Sequence, residues 1–396
     1  MKRITTVFLF LIAACTSFSQ LVIPYQRNDL WGLVERGVAN GILTPRYPSM
    51  TPLGNGYFDV SQRDSIVAII DSTGKETISL PYNITLFTGN GLFRYTNNEG
   101  DHIWYHVSGR KLQIDSNEVE HAGKCFSGRL MYANHKGKEG FLDVYGNIVI
   151  KADYDEVSGF YKGYSIVRLG KKVGAIDSTG KIVIPLIYDS AKPLGNDLFA
   201  VNKNKKTAVA NKNNILLTKF EFDYIHDFYE GVAWVMKGTR RWYINEKGQA
   251  EWAKKFKKIS SFENGVAIVN DGKNDILINR KGEVLYKAPV QYMVKGAREG
   301  TFFELEDKKT GKYLIASKYG KPLFTGMSEL PHQGTRSYMV VERDGKMGLI
   351  NELGDLKLSL NFDRLVYVKE LDIWYAVKDV DYGYIDEFGQ KYWVKK

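Results

Sequence analysis

The chain has 396 residues, 44% hydrophobic and 25% charged, with a formal net charge of +10. That apolar fraction supports a folded core and excludes a disordered chain. Two cysteines exclude a disulfide framework, and past the first twenty residues no apolar run approaches the about eighteen needed for a membrane-spanning helix.

Residues 1–20, MKRITTVFLFLIAACTSFSQ, open with Lys2 and Arg3 and continue into an apolar run, Ile4 to Ala14, too short to cross a bilayer. This is the layout of an export signal, and it predicts a protein of the periplasm, the outer membrane or the cell exterior. Two processing routes fit. Ile12-Ala13-Ala14-Cys15 resembles a bacterial lipobox, in which Cys15 would be lipidated and become the mature N-terminus. Ser17-Phe18-Ser19 instead offers the small residues that an ordinary signal peptidase reads, with cleavage before Gln20. A lipid on Cys15 is the one membrane attachment the sequence suggests. Without the signal, 53 Lys and Arg face 45 Asp and Glu, a net charge of +8. Cys125, between Lys124 and Phe126, is expected to be a small buried residue.

Beyond the signal the chain repeats itself. DSTGK occurs at Asp71-Ser72-Thr73-Gly74-Lys75 and again at Asp177-Ser178-Thr179-Gly180-Lys181. A phosphate-binding loop needs a glycine five residues before the Gly-Lys pair and a Ser or Thr after it. Neither copy has them, and no amphipathic helix follows. The same pattern returns at Gly146, Gly248, Gly282, Gly320, Gly354 and Gly389, with Asn40, Gly109 and Asn214 as degenerate copies. The steps from Asn40 to Gly389 run from 34 to 38 residues and define eleven units. A second marker keeps the same phase: Phe160-x-x-Gly163, Phe228-x-x-Gly231 and Phe262-x-x-Gly265, with Asp197 in the glycine's place one unit after Gly163. So does a third, Tyr154-Asp155, Tyr188-Asp189 and Phe222-Asp223. Three markers on one period establish a tandem repeat.

Residues 163–196 show one unit most clearly. Apolar stretches at 164–168, 173–177 and 181–185 are five residues each and bounded by Gly, Asp or Lys, the signature of strand, turn and strand. In DSTGK the Asp accepts from backbone amides and the glycine takes the positive φ of a hairpin turn. A looser segment, 188–194, leads into the next unit. Ile176, Ile182, Ile184 and Tyr188 are the expected core side chains. Such a meander cannot bury its apolar face alone, so neighbours must stack. The prediction is an all-β fold: a continuous tandem array over residues 21–396 of about eleven ~34-residue antiparallel meander units. They would form propeller-like blades or an open β-superhelix, and the one candidate seam lies at 286–300.

The unit resembles the bacterial WG-repeat family. The resemblance is carried by Trp31-Gly32-Leu33-Val34, Val173-Gly174-Ala175-Ile176-Asp177, Ile184-Pro185 with Tyr188-Asp189, Met347-Gly348-Leu349-Ile350-Asn351 and Tyr382-Gly383-Tyr384-Ile385-Asp386. The tryptophan precedes glycine only at Trp31; Val173, Met347 and Tyr382 replace it elsewhere. The resemblance implies a binding or scaffolding module and brings no catalytic residues with it.

The search for chemistry yields little. His102 and His106 would share one face of a strand about 13 Å apart, too far for one metal, and His121, His135, His226 and His332 have no recognisable partner. Asp71, Asp143, Asp177, Asp189 and Asp386 fall on repeat positions, where turn chemistry accounts for them. No catalytic residue, cofactor or metal is expected. A basic cluster runs from 203 to 258, interleaved with Trp234, Trp242, Trp252 and Phe256. Its densest part is Lys237, Arg240, Arg241, Trp242, Trp252, Lys254, Lys255, Lys257 and Lys258. These nine form a candidate face for an anionic polymer, since neutralised charge and ring stacking both add affinity. The plainer account makes the lysines solvated hairpin tips and the rings strand core. With export, an envelope protein, an acidic glycan or lipopolysaccharide is a more fitting partner than nucleic acid. The expected function is thus an exported, non-enzymatic binding or scaffolding module at the cell envelope. A carbohydrate-active or other hydrolase, with its site in a cleft of the array, is the competing expectation.

Overall fold

The computed structural model describes residues 22–393 apart from 38–40, 62–65, 82–83, 89–90, 97–98, 100–101, 116–117, 120, 127–128, 253–255, 290, 299–300, 331–333, 336 and 370. The export signal with Cys15 thus lies outside the described residues, as do Lys254, Lys255 and the side chain of Cys125. The described residues form eleven small antiparallel sheets of three or four strands, each sheet built from strands consecutive in the chain. In chain order we number them sheet 1 (22–47), sheet 2 (49–81), sheet 3 (84–106), sheet 4 (121–154), sheet 5 (156–188), sheet 6 (190–211), sheet 7 (224–245), sheet 8 (258–287), sheet 9 (292–327), sheet 10 (338–362) and sheet 11 (364–385).

The structural unit is offset from the sequence unit. Sheet 5 begins with the short strand Glu156–Val157, continues through Tyr164–Leu169 and Lys172–Asp177, and ends with Ile182–Tyr188. The segment expected to trail that unit, 188–194, instead supplies Ser190–Gly195, the first strand of sheet 6. Of the four expected core residues, Ile176, Ile184 and Tyr188 are buried, whereas Ile182 is 49% exposed. Ile182 immediately follows the DSTGK turn, where the outer strand has only begun to pair, and it lines an open cleft with Tyr164, Lys181 and Asn213.

The turn itself is held by its first side chain. The Thr179 N–H, the Thr179 hydroxyl and the Lys181 N–H all donate to Asp177 Oδ1, at 2.8, 2.6 and 3.1 Å. Asp71 accepts the same three donors from Thr73 and Lys75. Where the acid is absent an amide takes over: Asn245 Oδ1 accepts from Lys247 N and Gln249 N, and Asn211, Asn279 and Asn351 act alike. DSTGK is a hairpin lock. Burial opposes the charge of Asp177, but these hydrogen bonds outweigh it and leave its pKa below the ordinary carboxylate value.

At four of the positions that correspond to the WG dipeptide, the glycine has a steric reason. A Cβ on Gly174 would lie 2.4 Å from Ile184 O, because the outer strand bulges over this point and its backbone crosses there. Gly32, Gly140 and Gly348 meet the corresponding backbone oxygen at 2.2, 2.4 and 2.7 Å. In those four sheets the outer strand is seven residues long. Only glycine admits so close an approach.

The Tyr-Asp marker ties consecutive sheets together. Asp189 Oδ1 accepts from Lys172 Nζ of sheet 5, and its Oδ2 accepts from Asn204 N in the hairpin of sheet 6. Asp155 joins Lys138 to Gly170, Asp223 joins Lys206 to Gly238, and Asp363 joins Lys346 to the Asp379 amide. Each carboxylate thus clasps a lysine of one sheet and a turn amide of the next.

Apolar packing follows the same order. Sheets 5 and 6 share Ala175, Ile184, Tyr188, Phe199 and Val201; sheets 6 and 7 share Val209, Phe222, Ile225 and Val235. Across the stretch 286–300, Leu277 and Phe303 lie in one cluster with Tyr286 and Val294. The circuit then closes. Val22, Ile23, Trp31 and Leu33 of sheet 1 share a core with Ile373 and Tyr384 of sheet 11 and with Tyr392. Trp31 sits 6.0 Å edge-on from Tyr384, Gln26 N donates to Tyr392 O at 3.2 Å, and Arg36 pairs with Glu387 at 2.8 Å. The array therefore meets its own beginning, the closed form of the two arrangements the repeat allows.

Candidate functional site

Strand alternation divides the basic-aromatic residues. On Arg240–Asn245 of sheet 7, Arg240 and Trp242 point to one side and Arg241 to the other. Trp242 packs against the cluster shared with sheet 6, 5.8 Å from Phe222. Trp252 packs instead into the cluster shared with sheet 8, edge-on to Tyr243 at 5.3 Å. Arg241 donates to Lys257 O at 2.5 Å and so anchors the backbone between sheets 7 and 8. Lys257 and Lys258 are exposed on that second side. Both tryptophans are half-buried, each with one flank in a core, so the rings are shared between structure and surface.

One part of the group does converge. Lys237, Gly238, Thr239, Arg240 and Trp242 line a cleft of about 480 Å³ with Glu221 from the segment after sheet 6. Its origin can be read position by position. The third residue of the strand Lys172–Asp177 is Gly174; one unit on it is Ala208, and two units on it is Trp242. Where glycine lets the outer strand cross close, the indole of Trp242 fills the space. The outer segment of sheet 7 keeps its register at two points, Ile244 with Ala250 and Arg241 with Phe256. Asp223 holds the Lys237–Arg240 hairpin through Gly238 N. Lys237 pairs with Glu221 at 2.7 Å, and the exposed Arg240 lies across the strand pair from it. The cleft thus presents an indole wall, two cations and one carboxylate.

A second cluster escaped the sequence reading. The Asp227 side chain is buried, and it accepts from the Tyr161 hydroxyl at 2.5 Å and from Lys162 Nζ at 2.9 Å, both on Oδ2, while Lys192 Nζ lies 2.5 Å from Oδ1. Burial pushes the Asp227 pKa up, but these donors outweigh it and bring it below the ordinary value. The hydrogen bond to Asp227 in turn pushes Tyr161 up to about 12. His226, unpartnered in the sequence reading, stacks on Trp234 at 5.0 Å and reaches Ser261 Oγ at 3.1 Å. The signal that could have found this cluster is Tyr161 and Tyr229, each directly after the marker phenylalanine, two units apart.

The other candidates stay separate. His102 and His106 stand at opposite ends of one strand. Among the described residues no three His, Cys, Asp or Glu side chains group in a way that could hold a metal ion. Asp71, Asp143, Asp177 and Asp386 accept turn amides, and Asp189 serves as a clasp.

The WG containing repeat matches residues 140–172, 174–206, 209–238 and 243–274, the stretch that holds both clusters. No curated protein matches the chain in sequence. Among solved structures, a eukaryotic initiation factor is similar over 77% of this chain and 95% of its own, at 11% identity and a TM-score of 0.37. BamB from Moraxella catarrhalis is similar over 77% and 91%, at 12% identity and a TM-score of 0.31. Apo AztD from Citrobacter koseri is similar over 76% and 92%, at 10% identity and a TM-score of 0.29. At this distance the likenesses say nothing of what this chain binds.

Proposed function

We propose that this chain, whose residues 140–274 carry four WG containing repeats, is an exported binding module of the cell envelope that acts without catalysis. Its partner in this reading is an acidic glycan or an acidic protein surface. The observation that supports it most is the cleft at Trp242, where the repeat position held by Gly174 in sheet 5 and Ala208 in sheet 6 carries an indole beside Lys237 and Arg240. An indole wall offers an apolar stacking surface, and the guanidinium offers a planar fork of donors suited to carboxylate or phosphate. Two cations against the single Glu221 leave the cleft positive, which favours an anionic partner. The carboxylates that repeat down the array are engaged in turns and clasps, which supports binding over acid-base hydrolysis.

The test is co-sedimentation of the purified mature chain with sacculi and with outer membranes, separately, across a salt series. Pelleting with one fraction, weakening as salt rises and reduced by Lys237→Glu with Arg240→Glu, is the expected result. Absence of pelleting at low salt with either fraction overturns the envelope reading.

A further inference from the structure

The cluster around Asp227 has the construction of a second ligand site. Tyr161, Tyr224 and Tyr229 are 46%, 39% and 40% exposed, and Trp234 and His226 are half-open beside them. Tyr224 lies 5.1 Å from Trp234, and His226 lies 5.9 Å from Tyr229. The Lys162 ammonium is 5.2 Å from the ring centroids of both Tyr161 and Tyr229. Single exposed rings need no explanation, but a contiguous group around a buried charge does. The polar centre is built across three sheets. Lys162 precedes the second strand of sheet 5, Lys192 is on sheet 6 and Asp227 follows the first strand of sheet 7. Lys162 reaches Asp227 by passing over Gly195, where a Cβ would come within 3.3 Å of its Nζ. It also donates to Leu194 O at 2.9 Å on the way. The unit between the two tyrosines thus has glycine where they stand, and the gap it leaves carries the lysine.

We infer that this aromatic patch binds an oligosaccharide bearing carboxylates, as a site separate from the Trp242 cleft. A pyranose presents an apolar C–H face and a polar edge. The rings of Tyr161, Tyr224, Tyr229 and Trp234 match the first, and the ammonium groups of Lys162 and Lys192 match the second. Two lysines share the single carboxylate of Asp227, so one positive charge is left to meet an acidic sugar. Asp227 holds both amines in place, which lowers the ordering needed on binding. This inference names a ligand class for the binding reading above and rests on it.

The test uses the full mature chain with Lys237→Glu and Arg240→Glu in place, so that the cleft is disabled. Calorimetric titration with a galacturonic acid hexamer and with maltohexaose provides the acidic and neutral probes. The acidic hexamer is expected to bind, and maltohexaose to bind at least about tenfold more weakly. Tyr229→Ala and, separately, Lys192→Ala should each weaken the acidic hexamer by about tenfold. Lys192 is exposed, so its removal keeps the test valid if the tyrosine variant fails to fold. Lack of binding by the acidic hexamer, binding that ignores both substitutions, or equal affinity for maltohexaose overturns the inference. Pelleting with envelope fractions by the wild-type chain is scored independently, so the site can fail while the binding reading stands.

Discussion

Sheets 5 and 7 share one plan and differ most instructively at one position, Gly174 in the first and Trp242 in the second. Both run a short first strand into a hairpin, both are clasped by a Tyr-Asp or Phe-Asp carboxylate, and both end the third strand in a five-residue lock. In sheet 5 the absent side chain lets the Ile184 carbonyl cross close over the strand. In sheet 7 the indole occupies that space, packs on Phe222, and leaves the cleft beside Arg240. The repeat therefore separates two duties. Turn locks and clasps recur from copy to copy, while the side chain at the glycine position sets how closely the outer strand can approach.

Reversing that position should have the largest effects. Gly174→Val places a branched side chain where a Cβ already meets backbone at 2.4 Å; overpacking against backbone should cost about 3 kcal/mol. Chemical denaturation reads this directly, and a cost under about 0.5 kcal/mol would mean the outer strand yields and the glycine is incidental. Trp242→Ala removes a ring that is half-buried, so it should cost about 2 kcal/mol, below the range for a fully buried indole. It should also reduce salt-sensitive pelleting with the envelope, as should Lys237→Glu with Arg240→Glu. Stability lost with pelleting intact would make Trp242 a core residue alone.

The clasps are the control, because both sheets have them. Asp189→Ala and Asp223→Ala should each lower the Tm by only about 1–2 °C, with the difference shrinking at high salt. Their carboxylates sit at the surface, and hydrogen bonding from Asn204 N and Lys172 holds Asp189 below the usual carboxylate pKa, as Lys206 and Gly238 N hold Asp223. Unequal losses at the two sites would show that the Trp242 substitution has shifted load onto its neighbouring clasp.

The period, the hairpin locks and the all-β class were legible in the sequence because they depend on contacts within five residues. Asp177 and Lys181 carry their own reason. The clasps were half legible: the Tyr-Asp marker kept phase, but its partners lie about half a unit away on either side, at Lys172 and Asn204. The split of the basic face was readable in principle from alternation along Arg240–Asn245, yet the neighbours that receive Trp242 and Trp252 belong to different sheets. Closure was not legible. Trp31 and Tyr384 are brought together by the accumulated geometry of nine intervening sheets, and nothing local to either residue encodes it. The Asp227 site shares that limit, since Lys162 is 65 residues away.

The smallest expected effect separates charge from geometry in the turn lock. Sheet 5 uses Asp177 where sheet 7 uses Asn245, and both accept amides from the second and fourth residues that follow. Asp177→Asn should therefore change stability by no more than about 0.5 kcal/mol at neutral pH. Acid is where the two should part. The folded pKa of Asp177 is lowered, so its charge contributes stability that is fully present above the unfolded value of about 3.9. That contribution disappears as pH falls through the lower folded value. The amide of the variant does not titrate, so any deficit against wild type at pH 7 should narrow or reverse below about pH 4. Urea midpoints for the two proteins at neutral and acidic pH make the comparison. A deficit that widens on acidification would mean that protonated Asp177 holds the turn better than an amide does, and that the lock in sheet 5 draws on the Thr179 hydroxyl more than on charge.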